Sequence, residues 1–127
     1  MGYTHYWTPA KKCGPKWKEF CDRFQKMVPH CGATICNGLG EPSTKPIIES
    51  NYLAFNGDAD YDEDHETAGF ERNGEWSFCK TAYKPYDTLV VATLMLGYEL
   101  GVIKEWSSDG EAEDHKAGLE LYEKHSK

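Results

Sequence analysis

The chain has 127 residues, of which 39% are hydrophobic and 13% aromatic, a content typical of one globular domain with a single buried core. Its formal net charge of -7 argues against a nucleic-acid partner, because proteins that neutralise phosphates carry a clustered basic excess. No stretch reaches the roughly 18 uninterrupted apolar residues that a membrane span requires, so we expect no membrane partner.

The N-terminal segment predicts a first β-strand. Its start lacks the basic region and apolar run of a signal peptide, so we expect a cytoplasmic protein. From Tyr3 to Trp7 the residues are aromatic-rich with high β propensity, and Pro9 is expected to end the strand. His5 is interpreted either as a half-buried strand residue that bonds a backbone carbonyl or as a ligand-binding residue.

The stretch between Pro15 and Pro29 predicts an amphipathic helix, because proline is favoured in the first turn of a helix and just past its end. Charged residues fill one face of this helix. The apolar residues recur at three- and four-residue spacing on the other face: Trp17, Phe20, Cys21, Phe24 and Met27 or Val28. Cys21 is therefore expected to be a small core residue.

Residues 32–46 are rich in Gly, Pro, Ser, Thr and Asn and predict a loop with a short strand at residues 34–36. Cys31 and Cys36, next to His30, have the spacing of half a zinc site, but no second ligand pair follows them. The five cysteines are an odd count, and cytoplasmic thiols are normally reduced. We expect neither a metal nor a cofactor.

Two short apolar runs, residues 47–49 and 52–55, flank Ser50-Asn51 and predict a hairpin. Asn56-Gly57 ends the second arm. This pair favours positive φ, so we expect it to turn the chain into the following loop.

That loop, from Asp58 to Glu66, is strongly acidic. It opens with the D-x-D-x-D pattern of a calcium site, but Glu63 and Gly69 stand where such a site needs Gly and Glu. A solvated acidic loop is the favoured interpretation. Weak cation binding by the loop stays open.

Residues 67–72 and 76–80 predict a second hairpin around Asn73-Gly74. The second arm should alternate between two faces, because successive side chains of a strand point to opposite sides. The two predicted sets are Trp76, Phe78 and Lys80 on one face and Ser77, Cys79 and Thr81 on the other.

A helix is predicted from about residue 85 to residue 100. Pro85 takes an early helical position, Asp87 falls in the first turn, and Gly101 follows the last apolar residue. Apolar residues cover most of the circumference, so this should be the buried core helix.

A last strand is predicted at residues 102–106. Ser108 then has the S-x-x-E spacing of a capping box with Glu111, which predicts a helix over 109–124 with Leu119 and Tyr122 facing inward. The order of elements predicts a single α+β domain over residues 1–127, with an antiparallel or mixed sheet of short strands and hairpins packed by about three helices.

Several short motifs occur in order along nearly the whole chain: Gly2-Tyr3-Thr4-His5-Tyr6-Trp7, Phe55-Asn56-Gly57, His65-Glu66-Thr67, Phe78-Cys79-Lys80-Thr81-Ala82, Lys84-Pro85-Tyr86-Asp87 and Ser107-Ser108-Asp109-Gly110. In these motifs the chain resembles a family of small proteins from bacteria and their phages. The family pattern has Arg where this chain has Tyr83, and an aromatic residue where it has Ala68-Gly69. The resemblance implies site positions but no activity.

Three polar clusters lie at the ends of predicted elements: His65-Glu66, Cys79-Lys80-Thr81 with Asp87, and Ser107-Ser108-Asp109. If the sheet brings these ends to one rim, they line a single pocket. Ser108 as an N-cap and Asp87 as a charge at a helix start are the competing structural interpretations. The expected ligand-binding residues are His5, His65, Glu66, Lys80, Thr81, Lys84, Tyr86, Ser108 and Asp109.

The leading functional hypothesis is a binding protein for a small anionic, nucleotide-like ligand. Lys80, Lys84 and Thr81 near a helix N-terminus supply cations and donors, and the aromatic residues, among them Tyr3, Tyr6, Trp7 and Tyr86, offer stacking surfaces. For a phage-like protein, we expect such a ligand to be a host signalling nucleotide that the protein sequesters.

Two alternatives stay open. One is a cysteine-dependent hydrolase or transferase with Cys79 as nucleophile, His65 as base, and Glu66 or Asp87 orienting that base. The other is an acidic protein-interaction or inhibitor module that works through the loop at residues 58–66. The oligomeric state also stays open, with a homodimer as one compatible state.

Overall fold

A computed structural model describes residues 3–127, and this part of the chain contains three α-helices and seven β-strands. The helices are α1 Lys16–Met27, α2 Asp87–Leu100 and α3 Lys116–His125. The strands are β1 Thr4–Pro9, β2 Ile35–Cys36, β3 Ile47–Ile48, β4 Tyr52–Gly57, β5 Ala68–Glu71, β6 Ser77–Lys80 and β7 Ile103–Ser108. The predicted α+β class is confirmed. Gly2, the first residue of the family-like motifs, lies outside the described residues.

Helix α2 forms the centre of the molecule. Most of its residues are buried, including Leu89, Val90, Leu94 and Leu96. It packs against α1, α3 and β7, which together enclose nearly its whole circumference. The predicted core helix is therefore confirmed, and it begins two residues later than Pro85. Gly101 ends it in the left-handed conformation, at φ 73°.

The strands form two antiparallel sheets. In the first, β1 lies between β6 and β7, and His5 pairs with Cys79 on one side and with Ser108 on the other. In the second, β4 pairs with β2, β3 and β5. The predicted β3–β4 hairpin is confirmed. Strand β1 ends at Pro9, as predicted.

The predicted hairpin of residues 67–72 with 76–80 is wrong. Strand β5 pairs with β4, so that Phe70 lies opposite Leu53, whereas β6 pairs with β1 in the other sheet. Phe70 and Cys79 are both buried, Phe70 opposite Leu53 and Cys79 opposite His5, so each strand is covered by a partner strand from elsewhere in the chain. The turn at Asn73, with φ 61°, thus carries the chain from one sheet to the other.

The expectation of positive φ at Asn56-Gly57 is also wrong, because both residues belong to strand β4. Gly57 is required by close packing instead. A Cβ atom at this position would lie 2.0 Å from the carbonyl oxygen of Glu63. The acidic loop folds back over this glycine, and its left-handed residue is Asp62, at φ 56°.

The C-terminal helix starts later than predicted. Ser108 is the last residue of β7, and its hydroxyl accepts a hydrogen bond from the backbone N–H of Gly110 at 3.0 Å. The capping box is formed by Glu111 and Asp114, ahead of a short 3-10 helix, Ala112–His115. The S-x-x-E prediction fails because pairing with β1 holds Ser108 in the sheet.

Two residues were predicted to face inward from this C-terminal helix, and one of these predictions is wrong. Leu119 is 42% exposed, whereas Tyr122 is half-buried and packs against the core. Gly118 and Leu121 are the buried residues of α3. Gly118 allows a close approach to α2, since a Cβ there would lie 2.5 Å from Val91 Cγ1.

None of the helices within residues 3–127 is long and apolar enough to cross a membrane.

Candidate functional site

Strand β1 brings several of the predicted site residues together. Its inward side chains at the N-terminal end are Tyr3, just before the strand, and His5, both buried. Ser108 lies beside His5 on β7, and Thr81 directly follows β6 on the other side. These residues, with Asp87 and His115, form the β1 polar cluster: Tyr3, His5, Thr81, Asp87, Ser108 and His115.

A buried hydrogen-bond network centres on Asp87. His5 Nε2 lies 2.6 Å from Asp87 Oδ1, and the Thr81 hydroxyl donates to the same oxygen at 2.6 Å. His5 and Thr81 are fully buried. Asp87 therefore does more than complement the dipole of α2, because it joins the first turn of that helix to β1 and to the end of β6.

Two polar atoms of the cluster have no hydrogen-bond partner among residues 3–127: the Tyr3 hydroxyl and His5 Nδ1. The two rings meet edge to face with centroids 4.9 Å apart. Burial, and then the negative charge of Asp87, raise the pKa of the Tyr3 hydroxyl, and the nearby Ser108 side chain opposes this rise without making a hydrogen bond of normal geometry, so the hydroxyl stays a neutral donor. Such atoms are rare in native proteins, and each calls for a partner such as a water, an ion or another molecule.

A second histidine lies next to this pair. His115 Nε2 is 3.1 Å from the Ser108 hydroxyl, and its ring centroid is 5.8 Å from that of His5. Burial, followed by the proximity of His5, lowers the pKa of His115. This histidine is therefore neutral around neutral pH, which limits the positive charge within the cluster.

Tyr83 covers Tyr3 from the solvent side. The two rings stack with centroids 3.8 Å apart, and Tyr83 remains 63% exposed. Both Ala82 and Tyr83 adopt the left-handed region, at φ 51° and 59°. Two consecutive non-glycine residues in this region store strain, which is commonly found at ligand-binding sites.

Cys79 lies in an environment opposite to that of a nucleophile. Its sulfur contacts the carbonyl oxygen of Glu66 at 3.5 Å and the Tyr86 hydroxyl at 4.0 Å, and among the described residues it makes no hydrogen bond with His65. Burial raises the pKa of the Cys79 thiol to about 12. A thiol of this kind is inert at neutral pH.

Tyr86 and Glu66 serve the packing around this cysteine. Tyr86 is fully buried, so its ring offers no stacking surface, and its hydroxyl donates to the Glu66 carbonyl oxygen at 2.6 Å. The Glu66 carboxylate accepts from the backbone N–H of Lys80 at 2.8 Å. Glu66 thereby ties the end of the acidic loop to β6.

The remaining predicted residues lie on the outer surface. The Lys80 side chain is exposed, and it makes no ion pair with any residue of the described chain. The Lys84 ammonium donates to the carbonyl oxygen of Asp62 at 2.7 Å. His65 is exposed, and its backbone is held by Asn56. Asp109 is exposed and accepts from the Thr4 backbone N–H at 3.2 Å.

The site therefore contains some of the predicted residues and others that the sequence did not indicate. His5, Thr81, Asp87 and Ser108 converge, whereas His65 and Lys84 bond to other parts of the chain. His115 was missed, because it sits in a short 3-10 helix without a local motif. Only the pairing of β7 with β1 and the return of the chain toward α3 bring it to the cluster.

Within residues 3–127, no group of three or more His, Cys, Asp or Glu side chains is arranged to hold a metal ion. Comparison of the chain with family models, with curated proteins and with solved structures gave no match.

Proposed function

We propose that the protein binds a small nucleotide-like ligand whose ring edge occupies the β1 polar cluster. The observation that carries this proposal is the pair of buried atoms without a partner in the described chain, the Tyr3 hydroxyl and His5 Nδ1. In the neutral tautomer with Nε2–H directed to Asp87, His5 Nδ1 accepts a hydrogen bond, and the tyrosine hydroxyl donates one. The edge of a nucleobase presents a donor beside an acceptor and satisfies both groups.

Tyr83 supports a route into this buried site. Its ring lies over Tyr3 on a turn with two left-handed residues, whose strain favours rearrangement of that turn. Displacement of Tyr83 uncovers Tyr3, and the released ring is free to stack on the base of the ligand. Ligand binding and movement of residues 82–83 are therefore parts of one step in the proposal.

Lys80 supports an anionic group on the ligand. It directly precedes Thr81 of the cluster but faces the opposite, exposed side of edge strand β6, so it contacts only a ligand group that extends around the sheet edge, and it has no ion-pair partner among the described residues. Desolvation, and then the carboxylates of Asp114, Asp87 and Asp109, raise the pKa of the Tyr83 hydroxyl. One cation beside several carboxylates favours a ligand with a single phosphate over a triphosphate.

A thermal-shift and calorimetry series tests the proposal with nucleosides, nucleoside monophosphates, cyclic mononucleotides and nucleoside triphosphates. We expect monophosphates or cyclic mononucleotides to stabilise the protein most, since a ligand at about 100 times its Kd adds roughly 2.7 kcal/mol. Host signalling nucleotides of the cyclic type belong in this panel because of the expected phage-like role. Absence of stabilisation by every member would refute the proposal.

Tyr3→Phe is the sharpest variant, because it removes one hydroxyl that makes no hydrogen bond of normal geometry in the described chain, with Ser108 as its polar neighbour. We expect unchanged or slightly higher stability and roughly tenfold weaker ligand binding, the value of about one hydrogen bond. Tyr98→Phe, on the exposed side of α2, is the matched control with no effect on binding. Equal ligand affinity in Tyr3→Phe and the wild type would contradict the assignment.

Lys80→Ala tests the anionic group separately. We expect it to weaken the binding of a monophosphate several-fold and to leave the binding of the corresponding nucleoside unchanged, because only the phosphate contacts Lys80. A parallel loss for both ligands would show that Lys80 does not act on the phosphate.

A further inference from the structure

A cleft separates the two strands that were predicted to pair as a hairpin. Strands β5 and β6 are held together at one end, where the Glu66 backbone N–H donates to the Lys80 carbonyl oxygen at 3.2 Å. Beyond this contact each strand pairs with a different sheet. The space between them is a cavity of about 380 Å³, lined by Tyr52, Thr67, Gly69, Glu71, Glu75 and Trp76, among others.

The cleft combines aromatic rings with carboxylates. Trp76 lies at the edge of the cleft and is 57% exposed, which is unusual for a tryptophan. Tyr52 approaches from β4, and the absence of a side chain at Gly69 makes room for it, since a Cβ there would lie 2.6 Å from the tyrosine hydroxyl. Glu71 lies directly opposite Tyr52 in the β4–β5 register, and burial, followed by the Glu71 carboxylate, raises the pKa of Tyr52.

The charges of the cleft fit a cation. Glu71 and Glu75 both line it, and the Lys11 ammonium already lies 3.7 Å from the Glu75 carboxylate. Glu71 is seated against Gly74, where a Cβ would lie 2.7 Å from one carboxylate oxygen. An aromatic face beside carboxylates attracts guanidinium and ammonium groups through cation–π and ionic contacts together.

The strand edges add hydrogen-bond acceptors. Within the described chain β5 pairs only with β4, and β6 only with β1. Alternate residues of an antiparallel strand direct their N–H and C=O groups away from the partner strand, and here that direction is toward the cleft. A guanidinium carries five N–H donors and is suited to carbonyl and carboxylate oxygens at once.

We propose that this β5–β6 cleft is a docking site for an arginine side chain presented by a partner protein. The overall net charge of -7 attracts a basic segment to the protein, and the carboxylates of Glu71 and Glu75 direct it to this cleft. The site is separate from the β1 polar cluster and does not depend on the function proposed above. The Lys11 ammonium, which already pairs with Glu75, competes weakly with the incoming guanidinium.

NMR titration of the full chain with three short capped peptides tests this site: Gly-Arg-Gly, Gly-Lys-Gly and Gly-Gln-Gly. We expect saturable shifts of the Gly69 and Ser77 amides and of the Trp76 indole with the arginine peptide, a several-fold weaker response with lysine, and none with glutamine. Equal responses to the arginine and glutamine peptides, or no response at millimolar peptide, would overturn the proposal.

Substitutions at the cleft should change the affinity for the arginine peptide in both directions. Glu71→Gln should weaken binding of the arginine peptide several-fold, whereas Glu120→Gln, an exposed control on α3, should leave it unchanged. Lys11→Ala removes the competing ammonium and should strengthen binding two- to threefold. Weaker binding in Lys11→Ala contradicts the site. Free arginine amide binding as tightly as the peptide would assign the cleft to a small cation and overturn the partner-protein inference.

Discussion

Nε2 of His5 lies 2.6 Å from Oδ1 of Asp87, although 82 residues separate the two in the chain. The contact joins the central strand of one sheet to the first residue of the core helix. Because His5 is fully buried and the Asp87 side chain is only 13% exposed, water contributes little to either group. The pair holds the β1 polar cluster in place and also contributes to the stability of the fold.

Asp87→Asn tests that contribution. The substitution keeps the shape of the side chain and removes the charge that two buried donors share, so we expect a loss of about 3 kcal/mol in the free energy of unfolding. Urea denaturation followed by circular dichroism measures it. Asp22→Asn is the control, because the exposed pair of Asp22 with Lys18 should contribute less than about 0.5 kcal/mol. Similar losses in the two variants would refute the structural importance of the pair.

The buried Cys79 thiol should make the folded protein less stable at alkaline pH. Burial raises the pKa of its thiol from 9.0 to about 12, so the folded state keeps a proton that the unfolded state releases. The corresponding stability is fully present below pH 9 and is lost as the pH rises toward 12. Between pH 8 and pH 10.5 we expect this residue alone to account for about 2 kcal/mol of lost stability, at 1.36 kcal/mol for each unit.

Urea denaturation at the two pH values, on the wild type and on Cys79→Ala, measures this effect. The variant is less stable at pH 8 but should lose less stability on going to pH 10.5. Cys21→Ala is a second test of the same effect, since burial raises the pKa of that thiol to about 11 and nearly the same loss of stability is expected from it up to pH 10.5. Identical pH dependence in wild type and Cys79→Ala, or rapid alkylation of Cys79 by iodoacetamide in the native protein, would contradict the buried, protonated thiol.

Local sequence signals were sufficient to predict the core helix and to assign the side chains of β6 to its two faces. The start and stop residues of α2 lie within the helix or next to it, and the apolar circumference leaves no other placement. Alternation correctly separated exposed Phe78 and Lys80 from buried Cys79 and Thr81. In both cases the physical cause, side-chain periodicity, acts over a few residues and can be identified in sequence.

The failures share a long-range cause. A turn at Asn73-Gly74 shows where the chain reverses, but the partners of β5 and β6 are set by β4 and β1, which lie elsewhere in the sequence. Ser108 fits a capping box locally, yet pairing with His5 keeps it in the sheet. For the same reason the cluster was predicted only in part, since His115 reaches His5 through tertiary packing alone.

Replacement by alanine should cost different amounts of folding stability at Gly57 and at Gly101. Gly101 is left-handed, and a Cβ there meets nothing within 4 Å, so Gly101→Ala should cost about 1 kcal/mol from backbone strain. At Gly57 a Cβ would lie 2.0 Å from the Glu63 carbonyl oxygen. Gly57→Ala should therefore cost about 3 kcal/mol or more, because backbone must move. Thermal denaturation ranks the two, and the reverse order would contradict the packing of the acidic loop on β4.

Arg23 links three helices through a nearly buried guanidinium. Its side chain is 13% exposed, it contacts both carboxylate oxygens of Glu99 at 3.0 and 3.1 Å, and it donates to the Ser126 carbonyl oxygen at 2.6 Å.

Arg23→Lys keeps the charge but cannot make this set of contacts, so we expect a loss of about 1 to 2 kcal/mol in the free energy of unfolding. Lys18→Met, which removes an 82% exposed partner of Asp22, should cost less than about 0.5 kcal/mol. Urea denaturation compares the variants, and hydrogen exchange reports whether protection is lost first in α3, which Arg23 contacts through the carbonyl oxygen of its C-cap residue Ser126. Unchanged protection of α3 in Arg23→Lys would show that the guanidinium geometry is dispensable for docking this helix.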